Sequence, residues 1–191
     1  MGHAEPKPWT LDEFLSWERA QSERYEYIDG VVRMMTGGTK RHSVILGNLY
    51  AALRHRLRGS GCRPYVDTPK IIVHSQCLYP DVFVTCGDER MEEDYVVDAV
   101  LIAEVLSSST QAYDRGAKWR LYQTIPALRH YLLVSQDGCA VDLFTREEDG
   151  WRPLRCVGLD QSLPLTAFDF DLPLAELYED SSITAITTSE L

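Results

Sequence analysis

Apolar positions along this chain recur first at helical spacing and then at strand spacing, and the switches between the two divide it into elements. Leu11, Phe14, Leu15 and Trp17 follow a Thr10/Glu13 pair with the spacing of a capping box, which predicts a helix opening at Leu11. Residues 24–35 alternate about Asp29-Gly30 and predict a hairpin. After Gly37-Gly38, the positions Val44, Ile45, Leu49, Ala52 and Leu53 form one helical stripe, with Arg54 and Arg58 four apart on a basic side, and the helix ends near Gly59. Strands are predicted near 64–74, 79–86 and 97–106, with a polar loop over 87–95 between the last two. Ser107 to Thr110 reads as a helix start, and the helix runs over 112–124 until Pro126 stops it. Three further strands, 130–136, 139–147 and 151–157, make a meander with turns at 136–138 and 148–150, and 172–180 forms a short terminal helix.

This succession contains no repeat and no low-complexity linker, and 191 residues suffice for one domain with a sizeable core. The expected organisation is a single domain over 1–180 followed by a flexible Ser/Thr-rich tail over 181–191. No stretch is apolar enough to span a membrane and the first residues carry no apolar leader core, so a cytoplasmic location is expected. The five cysteines are odd in number and never in a CxxC spacing, which predicts reduced, mostly buried thiols rather than a disulfide framework or a zinc knuckle. The net charge of −10 argues against a generic nucleic-acid coat. Its distribution changes that picture: residues 1–136 carry a net of −1 and residues 137–180 a net of −8, so the first part can still present a local anion-binding face.

The chemistry-bearing feature is a pair of carboxylates built into apolar strands. Asp81 stands in YPDVFVTC and Glu104 in DAVLIAEVLSSST, and Lys118 follows fourteen residues later. A carboxylate in a run as apolar as Val100 to Leu106 is costly to desolvate unless a cation, a proton or good donors meet it. Glu104 alternates with Ile102 and Leu106, so it shares their strand face. Two such acids and a lysine suit a hard cation such as magnesium, which takes one or two protein carboxylates and completes its shell with water and phosphate oxygens.

In order and spacing, YEYIDG (25–30), KRHS (40–43), YPDV (79–82), EVLSSST (104–110), Asp114, Lys118, Tyr122 and IPALRHYLLVSQD (125–137) resemble the Uma2 family of restriction-endonuclease-like proteins, within the PD-(D/E)XK nuclease superfamily. The likeness runs from about Leu11 to Leu177. It implies an α/β fold, a restriction-endonuclease-like mixed β-sheet flanked by helices. It also implies a metal-dependent endonuclease acting on DNA, with Mg2+ as cofactor, Mn2+ as substitute, and a homodimer as a possible assembly. Asp81, Glu104 and Lys118 would be catalytic with Glu26 in support; Asp81, Glu104 and the Val105 carbonyl would hold the metal; and His42, Arg54 and Arg58 would meet the substrate. The lysine of the parent motif, two residues after Glu104, is replaced by Leu106, so Lys118 on the following helix would supply the ammonium.

Each assignment has a plainer rival. Asp81 after a proline can satisfy loop amides, Glu26 can pair with a cross-strand arginine, His42 can cap a helix, and Tyr122 reads as packing rather than chemistry. Lys118 four residues after Asp114 reads equally as an exposed helical ion pair, worth a few tenths of a kcal/mol. The alternative to an enzyme is a catalytically degenerate nuclease fold that binds nucleic acid or protein. A glycosidase using the two carboxylates fits less well, given the lysine beside them.

Overall fold

The computed structural model describes residues 9–35, 37–66, 68–87 and 94–183. The chain begins with helix α1 (Leu11–Glu18), the strands β1 (Tyr25–Ile28) and β2 (Val31–Met34), and the long helix α2 (Lys40–Arg56). Next come β3 (Cys62–Val66), β4 (Lys70–Val73), β5 (Gln76–Leu78), β6 (Val82–Cys86), β7 (Tyr95–Val96) and β8 (Leu101–Leu106). One helical segment follows, made of α3 (Gln111–Tyr113), a π-helical turn (Asp114–Lys118) and α4 (Trp119–Tyr122). The remainder is β9 (His130–Ser135), β10 (Ala140–Glu147), β11 (Gly150–Val157), β12 (Ser162–Leu165), β13 (Phe170–Pro173) and α5 (Leu174–Leu177).

Local chemistry explains the elements that the sequence predicts well. Thr10 and Glu13 form the reciprocal capping box of α1. Asp29 and Gly30 both take positive φ, 50° and 80°, as a two-residue hairpin turn requires. Thr39 caps α2 through the His42 amide, and Ile45, Leu49, Ala52 and Leu53 are its buried stripe.

A six-stranded mixed sheet in the order β11-β10-β9-β8-β6-β3 forms the centre, and a five-stranded sheet β2-β1-β5-β4-β7 packs beside it. β8 runs antiparallel to β6 and parallel to β9, with the helical segment as the crossover, and all six of its residues are buried. On one face Val82, Ala103, Val105 and Leu132 pack against α2, α5 and the β12–β13 hairpin. On the other, Phe83, Ile102 and Leu133 meet Tyr122, Ile125 and the five-stranded sheet's Ile28, Ile71 and Leu78. A single α/β domain with helices flanking a mixed sheet results.

Three expectations are corrected. The predicted strand over 64–74 is two strands in different sheets, because the chain crosses over at Pro69, which lacks the N–H a continuous ladder needs. Strand β5 and the β12–β13 hairpin are additions that the hydrophobic pattern did not reveal, the latter short and carrying Pro164 and Pro173. Cys62 and Cys86 are joined by a disulfide, since the antiparallel register of β3 and β6 sets them directly opposite. Cys77, Cys139 and Cys156 are free and buried. Ser181, at the head of the predicted tail, is buried and its hydroxyl donates to the Tyr178 carbonyl, while residues 184–191 lie outside the described residues. Among the described residues no helix is long and apolar enough to cross a membrane.

Candidate active site

The site lies where the five-stranded sheet and the helical segment meet the end of β8. Register decides which acids arrive there. Glu104 sits on the same face of β8 as Ile102, turned toward Tyr122 and the five-stranded sheet, and Glu26 comes from the middle of β1. Asp81 stands just before β6, next to Glu104 on the adjoining strand.

Asp81 and Glu104 are tied crosswise through the backbone amides of Val105 and Asp81. The Val105 amide donates to Asp81 Oδ2 at 2.7 Å, and the Asp81 amide lies 3.4 Å from Glu104 Oε2. Because a strand residue turns its N–H and C=O the same way, the Val105 carbonyl also faces the side of β8 on which Asp81 stands. His42, in the first turn of α2, brings Nε2 to 3.2 Å from Asp81 Oδ2.

Lys118 closes the cluster from the π-helical turn. Its Nζ is 3.0 Å from Glu104 Oε1, 3.0 Å from Glu26 Oε1 and 3.5 Å from Asp114 Oδ1. All four side chains are buried, Lys118 5% exposed and each acid 3%. The π turn is a local widening of the helix, of the kind often found at functional sites. Here it carries both Asp114 and Lys118 inward. Tyr122 adds its hydroxyl to Glu104 Oε1 at 3.1 Å, and the Tyr79 amide donates to Glu26 Oε1 at 3.0 Å.

The electrostatics follow from burial and crowding. Burial raises the Glu104 carboxyl well above the usual carboxylate range, with the Lys118 ammonium opposing the shift. Asp114 is raised for the same reason, again against Lys118. Burial alone would lower Lys118, but Glu104, Glu26 and Asp114 outweigh it and keep the ammonium charged. Burial and the Glu104 charge push the Tyr122 phenol well up, so it remains a donor.

The plainer readings of Lys118 and Tyr122 do not hold. Lys118 is no exposed helical pair, and the Tyr122 hydroxyl bonds a site carboxylate rather than merely packing. Glu26 does stand opposite an arginine, Arg33, yet its carboxylate takes Lys118, and Arg33 lies over the Tyr113 ring. Arg54 and Arg58 are not brought to the site: both are exposed, and Arg54 is twelve residues along α2 from His42, about 18 Å away at 1.5 Å per residue. Asp114 and Tyr122 are the site members that sequence reasoning set aside, and their signal was the four-residue spacing 114, 118, 122.

Among the described residues no three side chains of His, Cys, Asp or Glu converge into a ready cage for a metal ion. Two carboxylates and a main-chain carbonyl nonetheless suit magnesium, which keeps waters and substrate oxygens in its shell rather than relying on an all-protein cage. The donor set therefore fits such a cation.

Comparison with known proteins agrees with this architecture. A crystal structure described as a "putative nuclease belonging to DUF820" from Anabaena variabilis superposes with a TM-score of 0.75 at 17% identity, covering 90% of this chain and 98% of that one, and so shares the fold. Two uncharacterized proteins of Synechocystis sp., slr1290 and sll1609, are 43% and 31% identical over 142 and 138 residues; these alignments cover 73% and 70% of this chain and 75% and 78% of the relatives. The family profile of Uma2, "Putative restriction endonuclease", matches residues 11–175, and the chain belongs to that family.

Proposed function

We propose that this protein is a metal-dependent endonuclease that hydrolyses phosphodiester bonds of DNA, with magnesium as the working cation and manganese as its substitute. The observation that carries the reading is the meeting of Asp81 and Glu104 on adjoining strands with Lys118, whose ammonium lies 3.0 Å from Glu104. Asp81, Glu104 and the Val105 carbonyl would hold the cation, which when bound acidifies a water, polarises the phosphoryl group and offsets charge on the leaving oxygen.

The remaining roles belong to the chain. Lys118, kept charged by three acids, cannot accept a proton; it orients the attacking water and stabilises the negative charge that develops on the phosphoryl oxygens. Glu26 fixes Lys118 and anchors the Tyr79 amide, which sets the short 79–81 segment leading to Asp81. His42 holds Asp81 Oδ2, and the Tyr122 hydroxyl holds Glu104 Oε1, so both carboxylates are oriented before substrate arrives.

One observation favours a second reading, a degenerate fold that binds nucleic acid without cutting it. Lys118 is 5% exposed, with three acids around its ammonium, so a phosphate must displace one of them to reach it. Calorimetric titration with Mg2+ and Mn2+, paired with cleavage of supercoiled plasmid, separates the two. Metal binding with metal-dependent cleavage supports the nuclease. Binding of DNA without cleavage supports the second reading and refutes the first.

A further inference from the structure

We propose that Tyr79 is a positioning residue for Asp81, and that Glu18 and Lys70 act through its hydroxyl. These three residues form a second buried polar cluster, apart from the one around the Lys118 ammonium. Glu18, the last residue of α1, is 7% exposed, and Lys70 of β4 and Tyr79 are 5% exposed each. Lys70 Nζ is 3.0 Å from Glu18 Oε2 and 3.2 Å from Asp94 Oδ2, and the Tyr79 hydroxyl donates to Glu18 Oε1 at 2.7 Å. Each oxygen of Glu18 thus has its own donor.

Helix stability does not explain an acid at that position. The C-terminal end of a helix favours a cation, and a buried carboxylate is costly without partners. Glu18 bears both costs, and what it gains is a hold on β4 and on residue 79. The Tyr79 ring packs with Phe14, Tyr27 and Cys77, and burial and then Glu18 push its phenol up, so it stays a donor.

Tyr79 opens the three-residue connection by which the chain leaves β5 in the five-stranded sheet for β6 in the six-stranded sheet. Residues 79–81 lie outside both strands, so no ladder fixes them. Tyr79 is held at two points instead: its hydroxyl by Glu18, and its amide by Glu26 Oε1, the same oxygen that Lys118 Nζ meets at 3.0 Å. Pro80 comes next, buried, and its ring locks its own φ and narrows the backbone choices of the residue before it. Few soft torsions remain between Tyr79 and Asp81, so an anchor at residue 79 sets where the Asp81 backbone enters the site. Tyr79 thereby joins the two buried clusters. That Asp81 uses this placement to hold a cation rests on the nuclease reading; the placement itself does not.

A plain structural role predicts something different. Tyr79→Phe removes one hydroxyl and leaves the ring in place. If the hydroxyl only satisfies Glu18, its loss lowers overall stability and touches Asp81 no more than any other buried residue. If it positions Asp81, the loss is felt at the Val105 amide, which donates to Asp81 Oδ2 at 2.7 Å and so reports on that carboxylate without any metal.

The test is amide hydrogen exchange of the full chain by NMR, with Leu132, paired on both sides in the six-stranded sheet, as the reference amide. Tyr79→Phe should speed exchange at Val105 about tenfold more than at Leu132. Tyr178→Phe is the control, a hydroxyl of similar burial that bonds the Ser135 and Ala140 carbonyls; it should change the two amides alike. Glu18→Asp keeps the charge beside Lys70 and draws the carboxylate back from the Tyr79 hydroxyl. It should reproduce the Val105 effect, and it decides the matter if Tyr79→Phe misfolds. In calorimetry, Mg2+ binding should weaken about tenfold in Tyr79→Phe and stay unchanged in Tyr178→Phe, as expected when a partner behind a metal ligand is removed. A wild-type chain that binds no Mg2+ refutes the nuclease reading, and the positioning of Asp81 then stands or falls on Val105 exchange. Equal changes at Val105 and Leu132, or an unchanged Mg2+ affinity in Tyr79→Phe where the wild type binds the ion, overturn the proposal.

Discussion

Replacing Lys118 with methionine keeps the length and apolar stem of the side chain and removes only its charge. An exposed Asp114–Lys118 pair would contribute a few tenths of a kcal/mol, and its loss would leave the fold untouched. The structure overturns that expectation, because Glu26, Glu104 and Asp114, each 3% exposed, all converge on the ammonium within 3.5 Å. Taking one partner from a buried ion pair leaves uncompensated charge and costs about 3–5 kcal/mol, so Lys118→Met should lose that much stability in urea unfolding at pH 8. Acidification should shrink the loss. Without the ammonium, burial holds Glu104 and Asp114 further above their unfolded values, so the folded variant binds protons that the unfolded chain does not. Its stability relative to the wild type then rises as the pH falls from 8 toward the unfolded carboxylate range. Plasmid cleavage at a pH where the variant is folded should drop about 100-fold or more, with DNA binding retained. A stability loss below about 1 kcal/mol, or one that grows on acidification, would refute the electrostatic argument.

Glu104→Gln should fold but weaken Mg2+ binding by about tenfold or more in calorimetry, because the amide keeps the shape and loses the charge that attracts the cation. His130 is fully buried between Thr145 and the Ala167 amide, and burial lowers its pKa to about 4. The unfolded chain therefore binds the extra proton between about pH 6.5 and 4, and stability on the order of 3 kcal/mol, complete above pH 6.5, is lost as the pH falls through that window. His130→Gln should flatten that part of the urea-midpoint profile against pH. Alkylation of the unfolded, unreduced chain should label three of its five cysteines, Cys77, Cys139 and Cys156, and reduction of the Cys62–Cys86 link should lower stability by about 3 kcal/mol.

By itself the sequence determined what short-range chemistry controls. The Thr10/Glu13 box, the Asp29-Gly30 turn, the α2 stripe and the buried strand around Glu104 are each set by residues within a few positions of one another. An acid inside an apolar run announces its need for a partner wherever it folds, which made Asp81, Glu104 and Lys118 legible as candidates. Who meets whom was decided only in three dimensions. The 64–74 run divides between two sheets, Cys62 meets Cys86 across a register, and Lys118 takes Glu26 from β1, 92 residues earlier in the chain. Tyr122 became a donor to Glu104, and Arg54 stayed far from the site, because helix packing and length set those distances. Hydrophobic periodicity fixes which face of an element is buried, but not which other face lies against it, and a buried ion cluster drawn from three elements exists only once those faces have met.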